Sequence, residues 1–452
     1  MVDCKSCNMS YDEKEFNVCP YCGEEPEVKT ADKETAKDLP TVTEADKTED
    51  KSAEGKPDKT KSAGGRLKFI IIGVVVLAVL GAIIFALFSF GGSSVTVPDK
   101  YATIQEAIDA AEEGDVIIVD VGVYRESIDF RGKNITLQST DPDDPAIVSE
   151  TIIDGGGSGT VVSFRSGETE EAVISGFTIT RGSGVLVSGG SSPLIEKCII
   201  EDNTAEFGAG IAVFDSSPTI RDNLITGNSG FLGGGLFIEE SSPLVQDNTI
   251  TGNRAEMGSG MVIISNSSPN VIDNVIADNT AARLGGGIVV AVNSTPVIRD
   301  NVITANRAER NGGGLLIEES EPVVENNNIS RNRAANGGGI FIVNSLTANL
   351  IIKGNHVVDN LAYIAGGGLY MEGSSPLVED NEFINNISEY LGGAAAVYNS
   401  SPIFIRNLFE NNQAQDVSGG GAIWASADSN LVINDPDDNR YMQNMPDDLF
   451  QE

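Results

Sequence analysis

Histidine and tryptophan are nearly missing from this chain: one of each stands in 452 residues, and all aromatics together make 6%. The single histidine, His356, falls at an outward position between a turn and a strand of a repeated segment. The repeat accounts for it without any catalytic role. Cysteine is scarce and lopsided, with five residues in all and four of them among the first 22. Beyond those, only Cys198 is left, which excludes an intramolecular disulfide in the long remainder. Positive charge is the third shortage. Lys and Arg number 30 against 66 Asp and Glu, for a formal net charge of −36, and most of the excess follows residue 90. That balance argues against nucleic acid as a partner. Long apolar runs are absent except for one, residues 69–90.

What the chain has in quantity is glycine (50 residues) and a recurring asparagine phrase. Asn, any residue, a large apolar residue, two more, Asn: this runs Asn223 to Asn228, Asn248 to Asn253, Asn274 to Asn279 and Asn301 to Asn306, and continues to Asn439 and Asn444. Cys198 to Asn203 is a first copy with its leading Asn replaced. The copies lie about 25 to 27 residues apart for the most part, the mark of a solenoid. A Ser-Ser-Pro type of turn precedes each phrase, and a glycine cluster follows it, leading into a short apolar run such as Gly233-Gly234-Gly235-Leu236-Phe237-Ile238. These runs are too short for helices and are bounded by Gly, Pro, Ser and Asn, so they read as strands. Three strands and three turns fit one coil of a parallel β-helix.

The columns agree. Ile195, Ile220 and Val245 follow the prolines; Ile200, Ile225 and Ile250 lie within the Asn phrases; Ile211, Leu236 and Met261 follow the glycines. Stacked coils place like on like about 4.8 Å apart and bury each column as a ladder. Inward Asn residues are expected to bond to the Asn above, because an unpaired buried amide costs about 1–3 kcal/mol. Asn also tolerates the left-handed backbone of tight turns.

These phrases, with Phe383-Ile384-Asn385-Asn386 before Gly392-Gly393-Ala394, make residues 95–444 resemble the pectin-lyase-like right-handed parallel β-helix superfamily. The resemblance is nearest to its carbohydrate-binding and sugar-hydrolase repeats and to those of polymorphic outer-membrane proteins. It implies an all-β, single-stranded right-handed solenoid of about 12–13 coils with an N-terminal capping helix. Activity stays open, because that superfamily mixes lyases, hydrolases, esterases and non-catalytic adhesins.

In chain order, residues 1–23 carry Cys4, Cys7, Cys19 and Cys22 as two Cys-x-x-Cys knuckles, which suit one structural zinc and resemble a short zinc ribbon. Residues 24–65 are polar and charged and read as a disordered linker. Residues 66–90 hold about 22 uncharged residues, enough for about 33 Å of helix and one membrane span. Lys and Arg gather on their N-terminal side, which places the ribbon in the cytosol and the rest outside, periplasmic or at the cell surface. Residues 91–114 contain Thr103-Ile104-Gln105-Glu106, a capping box opening a short helix that ends at Gly114 and covers the first coil. Residues 115–444 form the solenoid, and the acidic tail 445–452 lies loosely over its far end.

Two features are candidates for chemistry. Asp222, Asp247, Asp273 and Asp300, with Asp380 later, form an acidic column. It reads first as solvated turn residues and second as a calcium site. A retaining glycosidase pair needs carboxyls about 5–5.5 Å apart, but any stacked Asp column meets that spacing. No Asn-Thr-Asp, Gly-His-Gly or Asp-Pro-His signature is present. The other feature is an apolar column between the inward residues of the glycine-led strands: Ala212, Phe237, Val262, Val289, Leu316, Phe341, Tyr370, Ala396 and Ile423. If it faces out, Phe237, Phe341 and Tyr370 offer flat rings for sugars or for another protein, with Trp424 nearby. A one-residue register shift or a covering loop would remove that surface. The sequence thus predicts a membrane-anchored outer domain that binds polysaccharide or an envelope protein. A polysaccharide lyase or glycoside hydrolase is the rival, and a sensor signalling through the ribbon to a cytosolic protein is the third reading.

Overall fold

The computed structural model describes residues 94–346, 349–433 and 439–451, together with two short strands, Val2–Asp3 and Ser10–Tyr11, that pair antiparallel. Those two strands belong to one compact unit, and residues 94–451 to another. Cys4, Cys7, Cys19 and Cys22, the linker and the run 69–90 lie outside the described residues. Among the described residues no helix is long and apolar enough to cross a membrane.

From residue 94 the chain winds as an all-β parallel solenoid with three long faces. The first face has 14 strands, and the second and third have 13 each. The turns number about fourteen, more than the 12–13 expected, because the coils before residue 191 are irregular in length and hide the period. On these three faces successive coils pair in parallel and in register, as in Ile225↔Ile250↔Ile276↔Ile303↔Ile329 on the second face. The inward side chains of these columns are fully buried and form one continuous core from Val97 to Ala425. Each buried aliphatic side chain contributes about 1.5–3 kcal/mol.

Both Asn columns are ladders of amides. Asn306 shows the pattern. Its Oδ1 accepts from the backbone N of Asn279 (3.1 Å) and from Asn279 Nδ2 (3.0 Å), and its own Nδ2 donates to Ile276 O (2.8 Å) and Asn332 Oδ1 (3.1 Å). The left-handed residue in each turn is the one before the ladder Asn, contrary to the expectation that the Asn itself adopts that geometry. Asp222, Asp247, Asp273, Asp300, Asn326 and Asp380 have φ between 54° and 58°, and Arg406 has 53°. The ladder Asn must keep its side chain inward, so the sharp bend falls on its neighbour. A third ladder, at the Ser-Ser-Pro turns, joins serines: the backbone N of Ser241 donates to Ser267 Oγ (3.1 Å), and that of Ser294 to Ser320 Oγ (3.1 Å).

A fourth sheet changes the surface. Nine strands, from Thr204–Phe207 to Gln413–Ala414, form in the segment between each second Asn and the glycine cluster. By sequence alone that segment reads as a turn. The chain there swings outward and folds back over the third face at a glycine in left-handed conformation. At Gly392 (φ +60°) a Cβ would lie 2.1 Å from Ala395 O, so only glycine lets the arch close. This outer sheet covers the apolar column, and the exposed stripe is corrected accordingly: Phe237 is 3% exposed and Phe341 5%. They pack with Val262, Val289 and Leu316 against Leu232 and Leu284 of the arch. Tyr370 stays half-buried at the edge of that cluster. The last member is also corrected. An extra glycine, Gly419, shifts the final repeat, so Ala396 pairs with Trp424 and Ile423 points into the core.

The lower end is closed by helix α1 (Ile104–Ala110), which buries Ile104, Ala107 and Ile108. Thr103 Oγ1 accepts from Glu106 N (3.1 Å), the N-cap half of the expected capping box, but Glu106 Oε2 reaches one residue past the cap and accepts from Ala102 N (3.2 Å) instead of from Thr103 N. Both oxygens of Glu126 accept from the next free N–H groups, Ile104 N and Gln105 N, at 2.9 Å. The helix stops at Ala111, which is extended, ahead of Gly114. Helix α2 (Pro145–Glu150), capped by Asp144, is not expected from the sequence. At the far end the tail does not lie loose: Leu449–Gln451 pairs with Ile423–Ala425 and continues the third face.

Candidate functional site

The outer sheet thins toward the C-terminal coils, where its last strands, Ile387–Ser388 and Gln413–Ala414, are two residues long. Aromatic rings emerge there. Tyr370 stacks on Phe341 with centroids 5.0 Å apart and planes at 1°, so one face is fixed by the buried column. Tyr398, 46% exposed, stacks on the buried Trp424 at 5.9 Å. Glu372 lies between the two tyrosines: it pairs in register with Tyr398, and Tyr370 Oη donates to Glu372 Oε2 at 3.3 Å. Burial, then the charge of Glu372, raises the Tyr370 phenol well above its usual range, so it stays a donor at any physiological pH. Tyr390 and Tyr363 stand exposed on the arches of the neighbouring coils. Tyr370, Glu372 and Tyr398 thus form a platform of two rings, each stacked on a buried neighbour, with a carboxylate between them.

Of the predicted ligand residues, only Tyr370 belongs to this platform; Phe237 and Phe341 support the outer sheet instead. Trp424, on the next coil, stacks on Tyr398. Sequence reasoning misses Tyr398 because it follows the column one residue after each inward glycine-led position, whereas Tyr398 lies two further along its strand. Extending the column comparison to Glu372 and Tyr398 would find it.

The acidic column does not converge. Asp222, Asp247, Asp273 and Asp300 are exposed at their left-handed positions, where Asp, Asn and Gly bear the strain best. Arg299 lies 3.4 Å from Asp300. Asp380 is held below the usual carboxylate range by hydrogen bonding to Arg406 and is paired with Lys353 as well. Among the described residues no group of three or more His, Cys, Asp or Glu forms a metal cage. His356 lies outward as expected, its Nδ1 2.9 Å from Glu382 Oε2. Cys198 begins the first amide ladder, its N donating to Asn223 Oδ1 (3.0 Å); burial pushes the thiol up to about 12, so it is inert.

Two carboxyls are raised by burial: Glu201, helped by Asp202, and Glu318, helped by Glu319. They stand on different faces and four coils apart, about 19 Å along the axis at 4.8 Å per coil. They cannot flank one glycosidic bond.

Comparison with known proteins bears on the fold. No curated protein matches the chain. Solved structures that resemble it include the A-module of a mannuronan C-5 epimerase from Azotobacter vinelandii, at 14% identity and TM-score 0.40, covering 77% of this chain and 94% of that one. A pectate lyase shares 12% identity at TM-score 0.31, covering 77% and 78%. A tailspike protein of an E. coli bacteriophage, in complex with a pentasaccharide, shares 12% at TM-score 0.30, covering 82% and 76%. The sequence model described as right handed beta helix region matches in overlapping stretches, 126–276, 164–329, 256–383 and 285–437, which together take in more than half of the chain. The chain therefore belongs to the right handed beta helix region family.

Proposed function

We propose that the solenoid is a non-catalytic polysaccharide-binding domain held outside the cell by the apolar segment 69–90. The platform of Tyr370, Glu372 and Tyr398 carries this reading. Each ring is stacked on a buried neighbour from an adjacent coil, Tyr370 on Phe341 and Tyr398 on Trp424, so binding orders few side chains. Flat apolar faces beside a carboxylate and a hydroxyl match sugar rings, which present C–H faces and equatorial hydroxyls. The separation of Glu201 from Glu318 supports binding over hydrolysis.

The test uses the full chain and a panel of uronate, sulfated and neutral glycans. At least one is expected to bind, and Tyr398→Ala is expected to weaken it by at least about fivefold, the loss of roughly 1 kcal/mol. Release of unsaturated ends or reducing sugar would overturn the binding reading in favour of a lyase or hydrolase.

Cys4, Cys7, Cys19 and Cys22 are proposed to hold a structural zinc on the cytosolic side, where thiols stay reduced. The left-handed position explains Asp222, Asp247, Asp273 and Asp300 without calcium. Metal analysis of the full chain is expected to find about one zinc per chain, and a calcium-selective chelator to leave the solenoid's melting unchanged. A fall of several degrees on chelation would give calcium to the Asp column.

A further inference from the structure

One cluster of charge stands apart from the aromatic platform. Asp154 ends the strand Thr151–Asp154 and is 4% exposed. Arg125 approaches its Oδ2 from the coil below (3.8 Å) and Arg181 from the coil above (3.4 Å), with side chains 79% and 61% exposed. Oδ1 accepts from Gly156 N at 2.9 Å. At those separations the arginines are ion-paired without a direct hydrogen bond. One buried carboxylate therefore stands between two largely exposed guanidinium groups, one from each adjacent coil. Asp202, one coil further on, makes no ion pair with Arg181 among the described residues. Beside the pair runs the loop 155–159. Gly156, Gly157 and Gly159 have φ of +70°, +92° and +77°, and beyond their own chain neighbours no heavy atom lies within 4 Å of where their side chains would begin. The fourth sheet begins only at Thr204–Phe207, so no arch covers this part of the stack.

We propose that Arg125 and Arg181 form a subsite for an oxyanion carried by the bound polymer, a uronate carboxylate or a sulfate ester. This rests on the polysaccharide reading and narrows it to acidic glycans. Guanidinium forks match such groups through paired charge-assisted hydrogen bonds. Neutralising Asp154 needs one cation, and the second leaves an excess positive charge in an otherwise acidic chain. The open glycine loop leaves room for the ring that bears the anion.

The experiment is calorimetric titration of the full chain with a uronate oligosaccharide, a sulfated oligosaccharide and a neutral one of equal length. Arg125→Gln and Arg181→Gln are tested singly, so that each retains one cation beside Asp154, with melting curves recorded for both. Binding of the uronate or the sulfated oligomer is expected, and whichever binds names the oxyanion. Each Gln variant should weaken it by about tenfold or more, the loss of one charge-assisted pair, and flatten its salt dependence. Arg181→Lys keeps the charge without the fork and should recover only part of the affinity; it also serves if a Gln variant melts early. Unchanged affinity in all variants overturns the subsite. Binding of the neutral oligomer alone overturns it too but leaves the platform standing, and binding of none overturns both.

Discussion

Ile303→Asp is expected to break the solenoid near its middle. Ile303 is fully buried between Ile276 and Ile329, and its neighbours on all sides belong to the same aliphatic core. A carboxylate there has no cation or N–H within reach that is not already in a ladder. It must either stay charged and unpaired or take up a proton and remain unsatisfied, and both are severely unfavourable. The loss expected is more than about 4 kcal/mol, in the range reserved for core disruption. Coils contact only their neighbours, so the damage should also uncouple the two halves. Denaturant unfolding followed by circular dichroism should then show two transitions where the parent shows one. A variant that melts within a degree of the parent would place Ile303 outside the core.

Asn306→Ala is expected to have the second largest effect, because it removes one rung from the middle of an amide ladder. The backbone N–H of Asn279 loses its acceptor, and so does one hydrogen of Asn279 Nδ2, whose other hydrogen still reaches Ile250 O. Two orphaned donors at about 1–3 kcal/mol each give roughly 2–6 kcal/mol. That exceeds the cost of a single unpaired amide inferred from sequence, since the ladder makes each Asn serve the coil before it as well as itself. Asn306→Asp keeps the acceptor but turns an oxygen toward Asn332 Oδ1, so it should not rescue. Chemical denaturation of both variants checks this. A loss below about 0.5 kcal/mol for Asn306→Ala, the level of an ordinary surface change, would show that the ladder is not a source of stability.

Much of this architecture was legible in the sequence because a solenoid repeats its chemistry. Ile225, Ile250 and Ile276 recur at one period, and so do Asn228, Asn253 and Asn279; only stacking explains both at once. The N-cap at Thr103 was legible too, since it is local. Asp222 and its column were visible, but their cause was not: the left-handed bend falls on the residue before each Asn, and that depends on which way the Asn side chain must point. The Asp154 cluster left no trace, because Arg125 and Arg181 meet it across coils of unequal length, where no period relates them.

The one-dimensional pattern by itself determined a coiled stack with aliphatic columns and amide rungs, since residues one period apart have no other way to bury like against like. Only the tertiary structure decided which outward-facing residues reach water. Phe237 and Tyr370 occupy the same column and differ little in chemistry, yet one is sealed beneath an arch and the other lies at the rim of the platform. The difference is set by where the chain travels after each second Asn, and a short excursion of about four or five residues carries too little pattern to announce that path in advance.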